Sequence, residues 1–307
     1  MYKVFIDGSS GTTGLRIYDR LLERKDIELI VLDDGKRKDI SYRREALNSS
    51  DISFLCLPDD AARQAVGLIE NPDTVIIDTS TAHRIADGWT YGFAELSGQE
   101  EKIKNSKRIA NPGCHASGFV SLVAPLVENG IIPETANLSC FSITGYSGGG
   151  KKMIEEYNKE RTDHFLLSPR QYGINQTHKH LPEMKKYCNL KNDPIFCPIV
   201  SDYYAGMEVT VPLFSSEING NIKDIKSVYK AYYKNGLVKY KDNTDENGFL
   251  RANAFASMDN MQISVFGNNE RILLVSRFDN LGKGASGSAI QNMNIVMGVP
   301  MKTGLIV

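Results

Sequence analysis

A repeated rhythm in the first third of the chain limits what it can fold into. Short runs with apolar centres (Lys3–Gly8, Glu28–Leu32, Ile52–Leu57, Val75–Asp78 and the charged-to-apolar Lys107–Ala110) each end at or just before Gly, Pro, Asp or Asn-Pro. Amphipathic stretches separate several of them, such as 60–70, where apolar residues recur at helical spacing. A strand that is apolar on both faces has to be covered on both faces. That is the situation of a parallel sheet wrapped in helices, so the expected class is α/β with a doubly wound, Rossmann-type sheet. Ligands in such sheets sit at the carboxyl ends of the strands. Gly8–Gly14, Leu57-Pro58, Ser80–Arg84 and Asn111–Cys114 are therefore expected to border one crevice.

The first turn carries Gly8, Ser10, Gly11, Thr12, Thr13 and Gly14. After it Leu15, Tyr18, Leu21 and Leu22 recur at helical spacing through Arg24, and the strand from Glu28 ends at Asp33-Asp34. A strand, a glycine turn, a helix and a strand make a βαβ unit whose helix N-terminus is suited to a pyrophosphate. The spacing is GxxGxxG rather than GxGxxG, and tight turns use glycine for backbone reasons alone, so position supports a dinucleotide site more than the pattern does. Asp33 stands where an acid would hold a ribose 2′-hydroxyl and favour NAD. Lys36-Arg37-Lys38 would instead neutralise a 2′-phosphate or form a solvated loop.

In Arg108-Ile-Ala-Asn-Pro-Gly-Cys-His115, Pro112 and Gly113 end a strand and a helical pattern follows Cys114. A cysteine at a helix N-terminus meets unpaired N–H groups and the positive end of the macrodipole, which favour the thiolate. The competing reading is a buried cysteine acting as a small hydrophobe. The other cysteines are scattered without CxxC spacing, three of them (Cys56, Cys140, Cys197) in apolar runs, so a reduced, cytoplasmic protein without a metal site is expected.

Past residue 136 the pattern changes. Leu138–Ile143, Glu208–Leu213, Gln262–Phe266 and Ile272–Arg277 mix apolar and polar residues between long connections, as in an α+β domain with a mostly antiparallel sheet. Gly145–Lys151 satisfies G-x4-G-K, but residue 152 is Lys where a P-loop needs Ser or Thr for Mg²⁺. An anion site from backbone N–H groups, Ser147, Gly148 and Lys151 survives that objection, beside a plain surface loop. His178-Lys-His180 matches no zinc signature and suits a general acid/base, or a pair of surface or capping histidines. Asn280-Leu-Gly282-Lys283-Gly-Ala285 joins a strand to the last helical pattern, Ala285–Met297, and suits a flat ring or a simple connection. Arg84 is the better candidate for gripping a carboxylate or phosphate, and Arg108 reads as a strand-end charge.

The 307 residues allow two domains; 41% are hydrophobic, 24% are charged and the net charge is −1. That balance gives no footprint for nucleic acid and no polybasic membrane face. No apolar run approaches the roughly 18 residues of a membrane span, and the N-terminus reads as a strand rather than a signal peptide.

Seven segments together resemble the N-acetyl-γ-glutamyl-phosphate reductase family, in its shorter variant. They are Gly8–Gly14, Ser80–Arg84, Tyr91–Leu96, Asn111–Cys114, Gly145–Lys151, His178–Glu183 and Asn280–Gly287, spread over nearly the whole chain in order. The resemblance implies a dinucleotide-binding domain (1–114 and 285–307) and a glyceraldehyde-3-phosphate-dehydrogenase-like catalytic and oligomerisation domain (115–284). It implies NADPH-dependent reduction of an acyl phosphate in arginine biosynthesis by a homo-oligomer, dimer or tetramer. Cys114 is then the nucleophile and His180, ahead of His178, assists it. The first glycine turn with Leu57, Pro58 and Ser80, and Asn280, Gly282 and Lys283, would contact NADP. Arg84, Asn111, Ser147, Gly148, Lys151 and His178 would contact substrate or phosphate. His115 departs from the family, which has an aromatic residue after the nucleophile; it either perturbs Cys114 or replaces ring packing with a polar tip, the reading we prefer. Rival readings are a reductase of aspartyl or carrier-bound aminoadipyl phosphate, and a non-catalytic dinucleotide-binding sensor.

Overall fold

The computed structural model describes residues 1–33, 35–159 and 164–307. Asp34, placed by the sequence at the end of a strand, lies outside them. The chain divides into two compact units, 1–113 with 285–306 and 114–284 with Val307. The first contains β1 (Tyr2–Asp7), α1 (Thr12–Leu21), β2 (Ile27–Ile30), α2 (Ile40–Ser49), β3 (Ile52–Leu55), α3 (Asp59–Gly67), β4 (Val75–Asp78), β5 (Thr90–Tyr91), α4 (Gln99–Lys104) and β6 (Arg108–Ala110). The second begins with α5 (Cys114–Glu128), β7 (Ser139–Gly145), α6 (Gly150–Lys159), α7 (His164–Leu167), β8 (Arg170–Gln171) and α8 (Leu181–Tyr187). It continues with β9 (Ile195–Ser201), β10 (Met207–Phe214), α9 (Ile222–Tyr232), β11 (Val238–Tyr240), β12 (Met261–Gly267) and β13 (Arg271–Phe278). The last helix, α10 (Gly287–Met297), belongs to the first unit.

The first unit is a parallel sheet in the order β2-β1-β3-β4-β6-β5. Alternate residues of each strand feed two separate cores. Val4, Ile6, Ile52, Phe54 and Ile77 pack with Ile17, Leu21, Ile290 and Met293. Phe5, Leu55 and Ile76 pack with Ala46, Leu47, Ala62 and Ala65. Period-two strands buried on both sides are the doubly wound arrangement expected from the sequence. The buried stripe of α1 differs from the expected one: Gly14, Ile17 and Leu21 face inward, whereas Leu15 and Leu22 are exposed. The helix starts at Thr12, and residues three and four apart from Gly14 define its inner face, leaving Leu15 and Leu22 a rotation away.

The second unit is a seven-stranded mixed sheet, β11-β12-β13-β10-β7-β9-β8. The β12–β13, β13–β10, β10–β7 and β9–β8 pairs are antiparallel; β7–β9 and β11–β12 are parallel. One face is covered by α5, buried without interruption from His115 to Leu126. Pro125 inside that helix has no N–H, so the Ser121 carbonyl loses its intrahelical donor. The Tyr233 hydroxyl, just past α9, donates to that carbonyl at 2.6 Å, and Tyr229 donates to Leu122 O at 2.5 Å. Two tyrosines thus hold the helix that begins with Cys114. Among the described residues no helix is long and apolar enough to cross a membrane.

Removing that hydroxyl exposes the defect. Tyr233→Phe is expected to lower the unfolding free energy by about 1–2 kcal/mol in a denaturant titration. Tyr232→Phe removes a hydroxyl that meets exposed Glu128 and is expected to change it by less than about 0.5 kcal/mol.

Candidate active site

At the carboxyl end of β1 the chain must turn sharply without side chains in the way. Gly8 has φ +88°, and a Cβ there would lie 2.3 Å from Cys56 O. A Cβ on Gly14 would lie 2.3 Å from Gly8 O. The turn therefore brings the start of α1 against the β1–β3 junction, where the strand order reverses. Gly11 caps α1 without a side-chain hydrogen bond, and no acid occupies the first turn, which leaves the N–H groups at Thr12 and Thr13 suited to an anion. A cavity of about 310 Å³ opens beside it, lined by Gly8, Ser9, Ser10, Leu57, Arg37 and Lys38 among others. Asp33 is not among its lining residues and its carboxylate lies 3.8 Å from Lys36 Nζ. The basic residues, not the acid, border the cavity. Pro58 caps α3 next to Leu57.

Two buried carboxylates brace this end of the sheet, and neither was evident from the sequence. Asp7 accepts Arg43 Nη2 at 2.8 Å and Nε at 3.0 Å; burial, the larger influence, raises its pKa while Arg43 opposes the rise. Asp78 accepts the Ser80 N–H at 2.9 Å, the Ser80 hydroxyl at 2.7 Å and lies 2.6 Å from His83 Nδ1. His83 stacks on Trp89 with ring centroids 4.1 Å apart. The Ser80 hydroxyl thus orders its own turn.

Several residues expected to contact ligands have structural partners as well. Arg84 is buried, and its Nε and Nη2 donate to Asn111 O at 2.9 Å and Thr79 O at 3.1 Å. Asn111 is also buried: Nδ2 donates to Ala285 O at 3.0 Å, and Oδ1 accepts from Asn292 at 3.2 Å. These two residues hold the chain just ahead of Cys114. Arg108 is a strand-end charge: it begins β6, at the opposite end from Asn111, and donates to Thr74 O. A strand's first residue cannot share an edge with its last.

In the second unit α5 starts at Cys114, half-buried, as the Pro-Gly turn predicts. Around His115, the next residue, a cluster of rings forms. His178, His180, Phe196 and Tyr172 lie with centroids 5.9, 5.5, 5.2 and 6.2 Å from it. His115 Nδ1 is 2.6 Å from Ser142 Oγ and Nε2 is 2.7 Å from Tyr172 Oη. The ring packs as an aromatic residue would, with polar tips satisfied. Burial, with His178 second, pushes the His115 pKa down to about 3. His178 Nδ1 accepts the His180 N–H at 3.3 Å, and burial ahead of Lys179 lowers the His178 pKa. Burial, together with the negative charge of a Cys114 thiolate, raises the pKa of Tyr172. Sequence reasoning passed over Tyr172 and Ser142, because a single tyrosine after a two-residue strand carries no motif.

The Gly145–Lys151 segment is a 3₁₀ turn leading into α6. The N–H groups of Gly145, Tyr146 and Ser147 donate to Gly206, Tyr203 and Tyr204 carbonyls, so those three are engaged within the unit. Gly148 and Lys151 remain exposed. Ser147 accepts Asn280 Nδ2 at 3.0 Å, and Asn280 Oδ1 accepts Gly206 N–H at 2.9 Å. Asn280 and Lys283 are buried, and a Cβ on Gly282 would lie 2.0 Å from Met258 O. This connection is held internally at Asn280 and packed closely at Gly282. No group of three or more metal-ligating side chains occurs among the described residues.

Comparison with known proteins gives consistent matches. Residues 3–106 match the semialdehyde dehydrogenase NAD binding domain, and residues 114–280 match the semialdehyde dehydrogenase dimerisation domain. The chain is 42% identical to N-acetyl-gamma-glutamyl-phosphate reductase 2 of Nostoc sp., over 99% of each chain. It is 41% identical to N-acetyl-gamma-glutamyl-phosphate reductase of Mesorhizobium japonicum, over 97% of this chain and 99% of the relative. The structure resembles aspartate semialdehyde dehydrogenase from Francisella tularensis with TM-score 0.73 at 15% identity, covering 97% of this chain and all (100%) of the other. That last likeness concerns the fold alone.

The buried neutral His115 makes a pH prediction. Its folded pKa of about 3 lies below the ordinary value of 6.5, so the unfolded chain binds the proton more readily between those limits. The resulting stability is complete above about pH 6.5 and is lost as pH falls toward 3, by at most about 1.4 kcal/mol per pH unit. Comparing unfolding free energies of wild type and His115→Phe from pH 7 to 4 isolates it: wild type is expected to lose stability relative to the variant on acidification.

Proposed function

The chain belongs to the N-acetyl-γ-glutamyl-phosphate reductase family, and from this premise we propose that it reduces N-acetyl-glutamyl 5-phosphate to N-acetylglutamate 5-semialdehyde and phosphate with NADPH, in arginine biosynthesis. The observation that carries the site assignment is Cys114 as the first residue of α5, with Tyr172, His178 and His180 gathered around the residue next to it.

In this reading the Cys114 thiolate attacks the acyl carbonyl; a C–S bond forms, the C–O bond to phosphate breaks, and phosphate leaves with that electron pair. N–H groups of the first turn of α5 stabilise the oxyanion. Lys151, with Gly148, receives the departing phosphate. NADPH, when bound, supplies the hydride that reduces the thioester. His180, when protonated, pairs with the thiolate that the collapse of the thiohemiacetal regenerates; His178, kept neutral by burial, orients it. The α1 turn, from Gly8 to Gly14, holds the pyrophosphate, and Arg37 and Lys38 in the adjoining cavity match a 2′-phosphate.

The test runs the reaction backward, with N-acetylglutamate 5-semialdehyde, NADP⁺ and phosphate. Wild type is expected to form NADPH and Cys114→Ser to lose roughly 10³-fold or more of kcat. Arg37→Ala with Lys38→Ala is expected to raise the KM for NADP⁺ about tenfold and leave that for NAD⁺ unchanged. Turnover of aspartate semialdehyde in place of the acetylated substrate would refute the substrate assignment, and equal rates in wild type and Cys114→Ser would refute the covalent mechanism.

The same reading makes the protein a homo-oligomer, dimer or tetramer, in the cytoplasm, where its five unbridged cysteines stay reduced. Residues on the sheet face opposite α5 support a second copy as the occupant. Phe141, Ile195, Phe214 and Leu273 are exposed there, and Phe141 is in register with Thr210 of β10 and Cys197 of β9. Phe141→Glu is expected to lower the mass in sedimentation velocity to that of a monomer. An unchanged mass would move the interface elsewhere.

A further inference from the structure

The hydrogen-bond accounting around His115 determines which way each proton points. Ser142 Oγ is buried, and His115 Nδ1 is its hydrogen-bond partner, at 2.6 Å. A serine hydroxyl has one hydrogen to donate. If Nδ1–H donated to Ser142, that hydroxyl hydrogen would lie buried with no acceptor, a costly arrangement; an underused acceptor lone pair is cheaper. Ser142 therefore donates to Nδ1, and the proton of the neutral imidazole resides on Nε2. Nε2–H then donates to Tyr172 Oη at 2.7 Å. With its oxygen accepting from His115, Tyr172 has its own O–H hydrogen free to turn elsewhere. Tyr172 is half-buried, and its hydrogen-bond partner His115 follows Cys114 directly in the chain at the start of α5. The remaining titratable groups facing His115 are His178 and His180, on the segment before α8, while Phe196 of β9 closes the cluster without a polar group.

We propose that His115 is a positioning residue: Ser142 holds its imidazole in the Nε2–H form, and that N–H turns the Tyr172 hydroxyl hydrogen toward the Cys114 side, where it donates to the thiolate. This rests on Cys114 being the nucleophile. The residue after the nucleophile then acts on it indirectly, through a phenol that burial keeps protonated. A phenylalanine at 115 would fill the same space and leave the Tyr172 hydroxyl unconstrained.

The test is the pH dependence of Cys114 alkylation by iodoacetamide, read by mass spectrometry of the Cys114 peptide in the full-length protein. Tyr172→Phe is expected to shift the thiol titration upward and slow alkylation at pH 7 about tenfold. His115→Phe is expected to give the same shift, and the double variant no more than either alone. His115→Gln, whose amide N–H stands in for Nε2–H, is expected to recover most of the wild-type profile, and Ser142→Ala to fall between. A wild-type profile in His115→Phe, together with a shifted one in Tyr172→Phe, overturns the role of His115. An unshifted Tyr172→Phe overturns the donor itself. Should His115→Phe fail to fold, the Ser142→Ala and His115→Gln profiles decide the matter in the same way. An activity that survives in Cys114→Ser would instead remove the nucleophile on which the proposal rests, a result separable from any of these profiles.

Discussion

A strand buried on both faces can place polar groups only at its ends, and the first unit follows from that constraint. Because β1, β3, β4 and β6 run parallel, their carboxyl ends share one edge. The glycine turn after Asp7, the turn after Asp78 and the segment after Ala110 are all delivered there, where backbone and side-chain polar groups meet water or a ligand. The connections at that edge are in turn held by buried polar pairs: Asp7 with Arg43, Asp78 with Ser80 and His83, Arg84 with the Asn111 carbonyl. Each such group, if left unpaired, would cost more than most surface contacts contribute. The polar residues that look available for ligands in the sequence are thus used to keep the edge in shape.

The second unit shows the same economy around a helix. α5 is buried all round, so it has no polar face along which to adjust, and its position depends on tyrosine hydroxyls that reach the carbonyls near Pro125. That fixed position presents Cys114 at the N-terminal end of the helix, where the macrodipole is positive. His115 beside it joins packing and polarity in one ring: Phe196 covers it, and Ser142 and Tyr172 fix its nitrogens. A buried imidazole with both nitrogens engaged has little freedom to change charge, which is why its influence passes through hydrogen-bond direction.

Most strand positions of the first unit and the helix start at Cys114 were legible in the chain, since apolar periodicity and Pro-Gly punctuation are local signals. The mixed sheet was less so. β9 reads only as an apolar run around Cys197, and its parallel pairing with β7 joins segments more than fifty residues apart. Arg84, Asn111 and Asn280 were read as ligand contacts because their chemistry allows it; that they also bond to carbonyls and amides of their own unit was not legible. The Asp7–Arg43 pair was invisible for the same reason: nothing local to either residue announces the other.

By itself the sequence determined the strand-and-helix rhythm, the glycine turn after β1, the cysteine at a helix start and the family to which the chain belongs. These depend on interactions within a few residues of one another, or on order along the chain. Tertiary structure alone decided which polar side chains remain available. It put Arg37 and Lys38 along the cavity, buried Lys283, and set Tyr172 and Ser142 on the two nitrogens of His115. The physical reason is that a hydrogen bond or a desolvated charge belongs to a pair of groups, and in a folded chain the second member of the pair is chosen by packing.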